Sequence, residues 1–117
     1  MEIKELSLEE KVGQLFIVGI QKKIEEMNKL INCRKIGGVI LYKNNYNNYS
    51  EMIDLVNNLK NNNKQNKIPL FISIDQEGGR VNRMPNEILN VPSATKLSKT
   101  ENLDIVGESR KNNWKNA

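Results

Sequence analysis

The sequence predicts an α/β fold built on a parallel sheet. Three observations carry that prediction: short continuous apolar runs recur along the chain, amphipathic helical patterns separate them, and glycine or proline marks most junctions. Uninterrupted apolar runs suit strands covered on both faces, and strands alternating with helices imply parallel pairing through helical crossovers. A (β/α)8 barrel and an open doubly wound sheet both satisfy this pattern, and periodicity does not separate them.

The elements follow in order. Ser7-Leu8-Glu9-Glu10 has the spacing of a helix capping box, so a short helix is expected to about Gln14. Leu15-Phe16-Ile17-Val18-Gly19 reads as the first buried strand. A helix from about Gln21 to Arg34 places Ile24, Met27, Leu30 and Ile31 on one face. Gly37-Gly38 breaks it, and Val39-Ile40-Leu41-Tyr42 is the second strand. After an asparagine-rich loop, a helix from about Ser50 to Asn62 aligns Met52, Leu55, Val56 and Leu59. Pro69 then precedes the third strand, Leu70 to Ile74. From Asp75 to Thr95 the chain reads as a long loop. Ser98-Lys99-Thr100-Glu101 repeats the capping-box spacing ahead of a helix to about Arg110, and residues 112–117 show no pattern.

Composition narrows the function classes. The 117 residues fit one domain, with a hydrophobic fraction of 38% that supports a thin core. Asparagines such as Asn44, Asn45 and Asn61-Asn62-Asn63 read as compositional drift on loops and helix surfaces. The net charge of +4 comes from lysines and arginines scattered singly or in pairs, which is the pattern of a solvated surface; no nucleic-acid partner is expected. The single cysteine, Cys33, cannot form an internal disulfide and is expected to pack as a small apolar residue in its helix. Without any histidine, the common Cys/His metal sites and a Cys–His catalytic pair are excluded. The polar start of the chain suggests neither a signal peptide nor a membrane span, so a cytoplasmic protein is expected.

The segment that carries chemistry is Ile74-Asp75-Gln76-Glu77-Gly78-Gly79-Arg80-Val81-Asn82-Arg83. It opens where a buried strand ends, which is where α/β folds build their sites. A carboxylate at Asp75 can accept hydrogen bonds from neighbouring hydroxyls, as sugar recognition requires. Gly78 and Gly79 permit a tight turn or a close backbone approach, and Arg80 and Arg83 add rigid donor forks. The competing structural reading is a loop braced by its own ion pairs. Asp75 and Glu77 do not suit the two-carboxylate role of a glycosidase, because such a pair must flank the scissile bond and these two share one loop. A phosphate cradle is disfavoured by the two acids beside the glycines and by the lack of Walker spacing.

These residues resemble glycoside hydrolase family 3. Leu6 to Phe16 is similar to the start of that family's catalytic domain, Ile36 to Leu41 to its second strand, Ile74 to Arg83 to its I-D-Q-E-G-G-R-V-x-R signature, and Pro92-Ser93-Ala94 to the P-S-A that follows. The resemblance covers about residues 6–107, leaving a divergent tail at 108–117, and points to the β-N-acetylhexosaminidase branch. It implies a single partial domain over 1–117: about three β/α units forming the N-terminal portion of a (β/α)8 TIM barrel. It also implies hydrolysis of terminal β-linked N-acetylglucosamine, in the context of peptidoglycan recycling, with no metal or organic cofactor. Asp75 and Arg83 then contact the amino sugar, while Gln76, Glu77, Gly78, Gly79 and Arg80 shape the loop. The family's aspartate nucleophile and histidine acid/base belong to later segments and have no counterpart in this sequence. The chain alone is therefore expected to be inactive, the alternative being a non-catalytic sugar-binding or interaction remnant. An unclosed sheet would leave two edges and one apolar face uncovered, favouring self-association.

Overall fold

The computed structural model describes residues 2–20 and 24–115. A capped first turn opens the fold. Ser7 Oγ accepts from the Glu10 N–H at 3.2 Å, and the Glu10 carboxylate accepts from the Ser7 N–H at 2.8 Å, the reciprocal capping box expected for α1 (Leu8–Gly13). There follow β1 (Ile17–Gly19), α2 (Ile24–Arg34), β2 (Gly38–Leu41), α3 (Tyr49–Asn62), β3 (Phe71–Ile74), α4 (Ala94–Ser98) and α5 (Leu103–Lys115). The expected first turn of α2, at Gln21 to Lys23, lies outside the described residues.

The three strands are parallel and lie in sequence order, β1-β2-β3, with Ile17 opposite Gly38 and Gly38 opposite Phe71. Sequential order with α2 packed on α3 is the arrangement of successive β/α units on one side of a curving sheet. The core lies between these helices and the sheet. Ile31 of α2, Leu59 of α3 and Val39 of β2 are fully buried, joined by Met27, Leu41, Met52 and Leu70. Alternation along the strands sends Val18, Val39, Leu41, Ile72 and Ile74 into this cluster and turns their neighbours to the other side. That second face is open: Ile17 is 54% and Phe71 61% exposed.

Several local expectations are corrected. Leu15 and Phe16 do not begin β1; their N–H groups bond back to Val12 and Gly13, finishing the turn of α1, and both side chains are exposed. α2 ends at Arg34 as expected, but the break is made at Lys35, ahead of the glycine pair, with Lys35 in the left-handed region at φ 52°. Lys35 is held there by Gln14 Nε2, which donates to its carbonyl at 2.9 Å, and by its own Nζ, which donates to Asn66 Oδ1 at 2.7 Å. Cys33 is exposed rather than packed. Ser98 caps nothing, because it is the last residue of α4; Asn102 caps α5 instead, its Oδ1 accepting from the Asp104 N–H at 3.0 Å. Not all asparagines are surface filler. Asn63 is 6% exposed and donates to the Ile68 carbonyl at 2.8 Å, and Asn66 donates to the Ile31 carbonyl at 3.0 Å, joining the end of α3 to α2.

Among the described residues, none from α4 or α5 belongs to the main core. Leu103 is 86% exposed, and the radius of gyration is 17.0 Å, against about 13 Å for a compact chain of this length.

Candidate functional site

The C-terminal ends of the strands converge on one edge of the sheet. β1 delivers Ile20, β2 delivers Tyr42, Lys43 and Asn44, and β3 delivers Asp75 and the loop that carries Arg83. Ile20, Tyr42, Lys43, Asn44 and Arg83 line an open cleft of about 580 Å³ there.

The loop after β3 is tied at each turn. Gln76 spans its neck: Oε1 accepts from the Arg83 N–H at 2.7 Å, and Nε2 donates to Asn82 Oδ1 at 2.9 Å. Gly78 and Val81 exchange main-chain bonds at 3.1 and 3.2 Å, closing a tight turn with Gly79 and Arg80 at its tip. The turn needs both glycines. Their φ values are +80° and +59°, and a Cβ on Gly78 would stand 2.6 Å from the Val91 carbonyl oxygen. The Gly79 N–H bonds that same oxygen at 2.8 Å, and Asn90 Nδ2 donates to the Gly79 carbonyl at 2.9 Å. The glycine pair thus seats against the chain leading into Pro92-Ser93-Ala94, so two motifs separated in sequence form one packed unit.

Asp75 and Arg83 meet across the neck. Arg83 Nη2 lies 3.8 Å from Asp75 Oδ2, with the side chains 31% and 44% exposed. An ion pair so long and so wet contributes little to stability, which leaves both groups available to a ligand. Arg83 Nε is buried without a partner. Glu77 and Arg80 are exposed, and neither side chain has an ion pair or hydrogen bond among the described residues. Nor does any group of three or more His, Cys, Asp or Glu among those residues form a metal-binding cluster.

The sequence reading missed the residues that hold this edge together. Tyr46, 5% exposed, donates its hydroxyl to the Arg83 carbonyl at 2.8 Å. Lys43 Nζ donates to the Met84 carbonyl and, at 2.9 Å, to Asn86 Oδ1. Asn45 accepts from the Tyr42 N–H at 2.7 Å and donates to the Ile20 carbonyl at 2.7 Å, bridging β1 to β2. The available signal was position: all of them follow the C-terminal end of a strand. Burial holds the Tyr46 phenol above its ordinary pKa, with the nearby Arg83 charge acting in the opposite direction.

Comparison with known proteins agrees with this geometry. The family model described as glycosyl hydrolase family 3 N terminal domain matches residues 7–114. The chain is 47% identical over 64 residues, 53% of its length, to beta-hexosaminidase A of Pseudoalteromonas piscicida, and covers 11% of that protein. It is 35% identical over 88 residues, 75% of its length, to the beta-hexosaminidase of Tolumonas auensis, covering 25% of it. The fold superposes on a glycoside hydrolase family 3 beta-N-acetylglucosaminidase from Paenibacillus sp. with a TM-score of 0.83 and 32% identity, covering 89% of this chain and 20% of that one. The chain thus spans a tenth to a quarter of the length of these relatives. The parallel α/β fold class predicted from sequence stands, as three β/α units that match part of the barrel-like domain of a solved relative. With the family model matching nearly its whole length, this chain belongs to the glycosyl hydrolase family 3 N-terminal domain.

Proposed function

We propose that this chain forms the sugar-binding edge of a β-N-acetylhexosaminidase, recognising terminal β-linked N-acetylglucosamine through Asp75 and Arg83. The observation that carries the reading is the loose, half-exposed Asp75–Arg83 pair at the C-terminal edge of a parallel sheet, inside the family-matched segment. Asp75 offers acceptors to sugar hydroxyls and Arg83 offers donors, and both can exchange their weak mutual contact for a ligand. The names of the related proteins support the choice of an amino sugar.

Hydrolysis needs two groups flanking the glycosidic bond. The sequence has no histidine, and the carboxylates of the signature, Asp75 and Glu77, share one loop. On this reading the 117 residues by themselves bind sugar and do not cleave it. The open sheet face, with Ile17 and Phe71 exposed, supports self-association of the isolated chain.

The test is kinetic. In a longer protein that joins this segment to a working hydrolytic site, turnover of 4-nitrophenyl N-acetyl-β-D-glucosaminide is the readout, and Asp75→Ala there should lower kcat/KM by about a hundredfold or more, as expected when a charged hydrogen-bonding group is lost from the transition-state complex. Unchanged kinetics in the variant would end the assignment of Asp75.

A further inference from the structure

Arg83 presents its guanidinium to Asp75, but its main chain is held from elsewhere. The N–H is taken by Gln76 Oε1 at 2.7 Å, and the carbonyl by the Tyr46 hydroxyl at 2.8 Å. The next carbonyl, that of Met84, accepts from Lys43 Nζ. Tyr46 and Lys43 belong to the connection after β2, some forty residues upstream, and that connection is itself fastened to the end of β1 through Asn45. Two strand-end loops are therefore bolted together at the residue that faces the cleft. The buried Nε of Arg83 has no acceptor. An unmatched buried donor is costly, and it persists only where the surroundings fix the residue that bears it.

We propose that Tyr46, assisted by Lys43, is a positioning residue for sugar recognition: it fixes the Arg83 main chain so that the guanidinium stays against Asp75 with donors left for the ligand. This rests on reading Asp75 and Arg83 as sugar contacts. Tyr46 touches no substrate on this view and acts only through Arg83. Its ring fills the core and its hydroxyl sets the loop, so the two roles separate in Tyr46→Phe, which keeps the ring.

The experiment is a titration of the isotopically labelled full chain with N-acetylglucosamine, followed by the amide signals of Asp75, Arg83 and Met84 and the Nε–H signal of Arg83. Tyr46→Phe should shift the Arg83 and Met84 signals before any sugar is added and weaken binding about fivefold, the effect of one lost hydrogen bond. In an Arg83→Ala background the same substitution should cost nothing more, because the two act as one unit. An equal loss in both backgrounds, or no loss in either, would overturn the proposal. If the wild-type chain shows no response to the sugar, the binding reading fails. The positioning claim is then judged on the sugar-free Arg83 signals alone, and unshifted signals in Tyr46→Phe refute it. Lys43→Met, which cuts the second tie and spares the buried ring, gives the same readouts should Tyr46→Phe not fold.

Discussion

The two sides of the sheet's environment differ in how complete they are. At the C-terminal edge, Asn45, Tyr46, Gln76 and the glycine turn each find polar partners nearby, at Ile20, at the Arg83 main chain, and at Val81 and Val91. On the open face and along α5 the reverse holds: Ile17, Phe71 and Leu103 are exposed apolar side chains. Polar groups with directional partners are satisfied locally by a few neighbours, whereas an apolar face needs an entire opposing layer. The C-terminal edge can therefore be shaped within three β/α units, while the surface beside it still has apolar area to bury.

That contrast predicts unequal sensitivity to substitution. The largest effect should come from the helix-covered core. Leu59→Ala is expected to cost about 3 kcal/mol, read as a lower midpoint in urea unfolding, because Leu59 is fully buried. Phe71→Ser, on the open face, should move that midpoint little and should instead reduce self-association in sedimentation velocity; a loss as large as that of Leu59→Ala would show that the open face is covered after all. Next comes Gly78→Ala, which must adopt a positive φ and push a methyl toward the Val91 carbonyl oxygen. A loss of about 1–3 kcal/mol is expected, with faster amide exchange at Gly79, the partner of that oxygen. Normal exchange there would mean the turn does not depend on its glycines.

A smaller effect is a pH dependence. The Tyr46 phenol is raised above 10.0 by burial, so the folded state holds the proton more tightly than the unfolded one. Its contribution is fully present below pH 10 and is lost as pH rises through the raised folded value. Tyr46→Phe should remove this alkaline slope from unfolding curves, and an unchanged slope would place its source elsewhere. The smallest effect belongs to Glu10, held below its usual range chiefly by the Ser7 N–H. Its contribution is present above pH 4.5 and is lost as pH falls through the lowered folded value, so Glu10→Gln should flatten the acid limb slightly.

The legible parts of the sequence were those governed by local pattern. Apolar runs announced β1, β2 and β3 to within two residues, Ser7 and Glu10 announced their capping box, and the stretch from Asp75 to Arg83 announced itself by residue type and place. What was illegible depended on distant partners. Asn63 and Asn66 look like their surface neighbours in sequence, and only the carbonyls of Ile68 and Ile31 distinguish them. Tyr46 lay inside an apparently featureless asparagine-rich loop because its partner is Arg83, far along the chain. The Ser98–Glu101 spacing misled because the same local grammar was already used by Ser93, whose Oγ accepts from the Lys96 N–H at 3.4 Å to open α4.

The most direct test of the sugar-binding claim is saturation-transfer difference NMR on the full chain with N-acetylglucosamine, using glucose as the control. Transfer to the N-acetyl and ring protons of N-acetylglucosamine, weaker transfer to glucose, and loss of both in Asp75→Ala and Arg83→Ala are the predicted results. Equal transfer to the two sugars, or transfer that survives both substitutions, would contradict it.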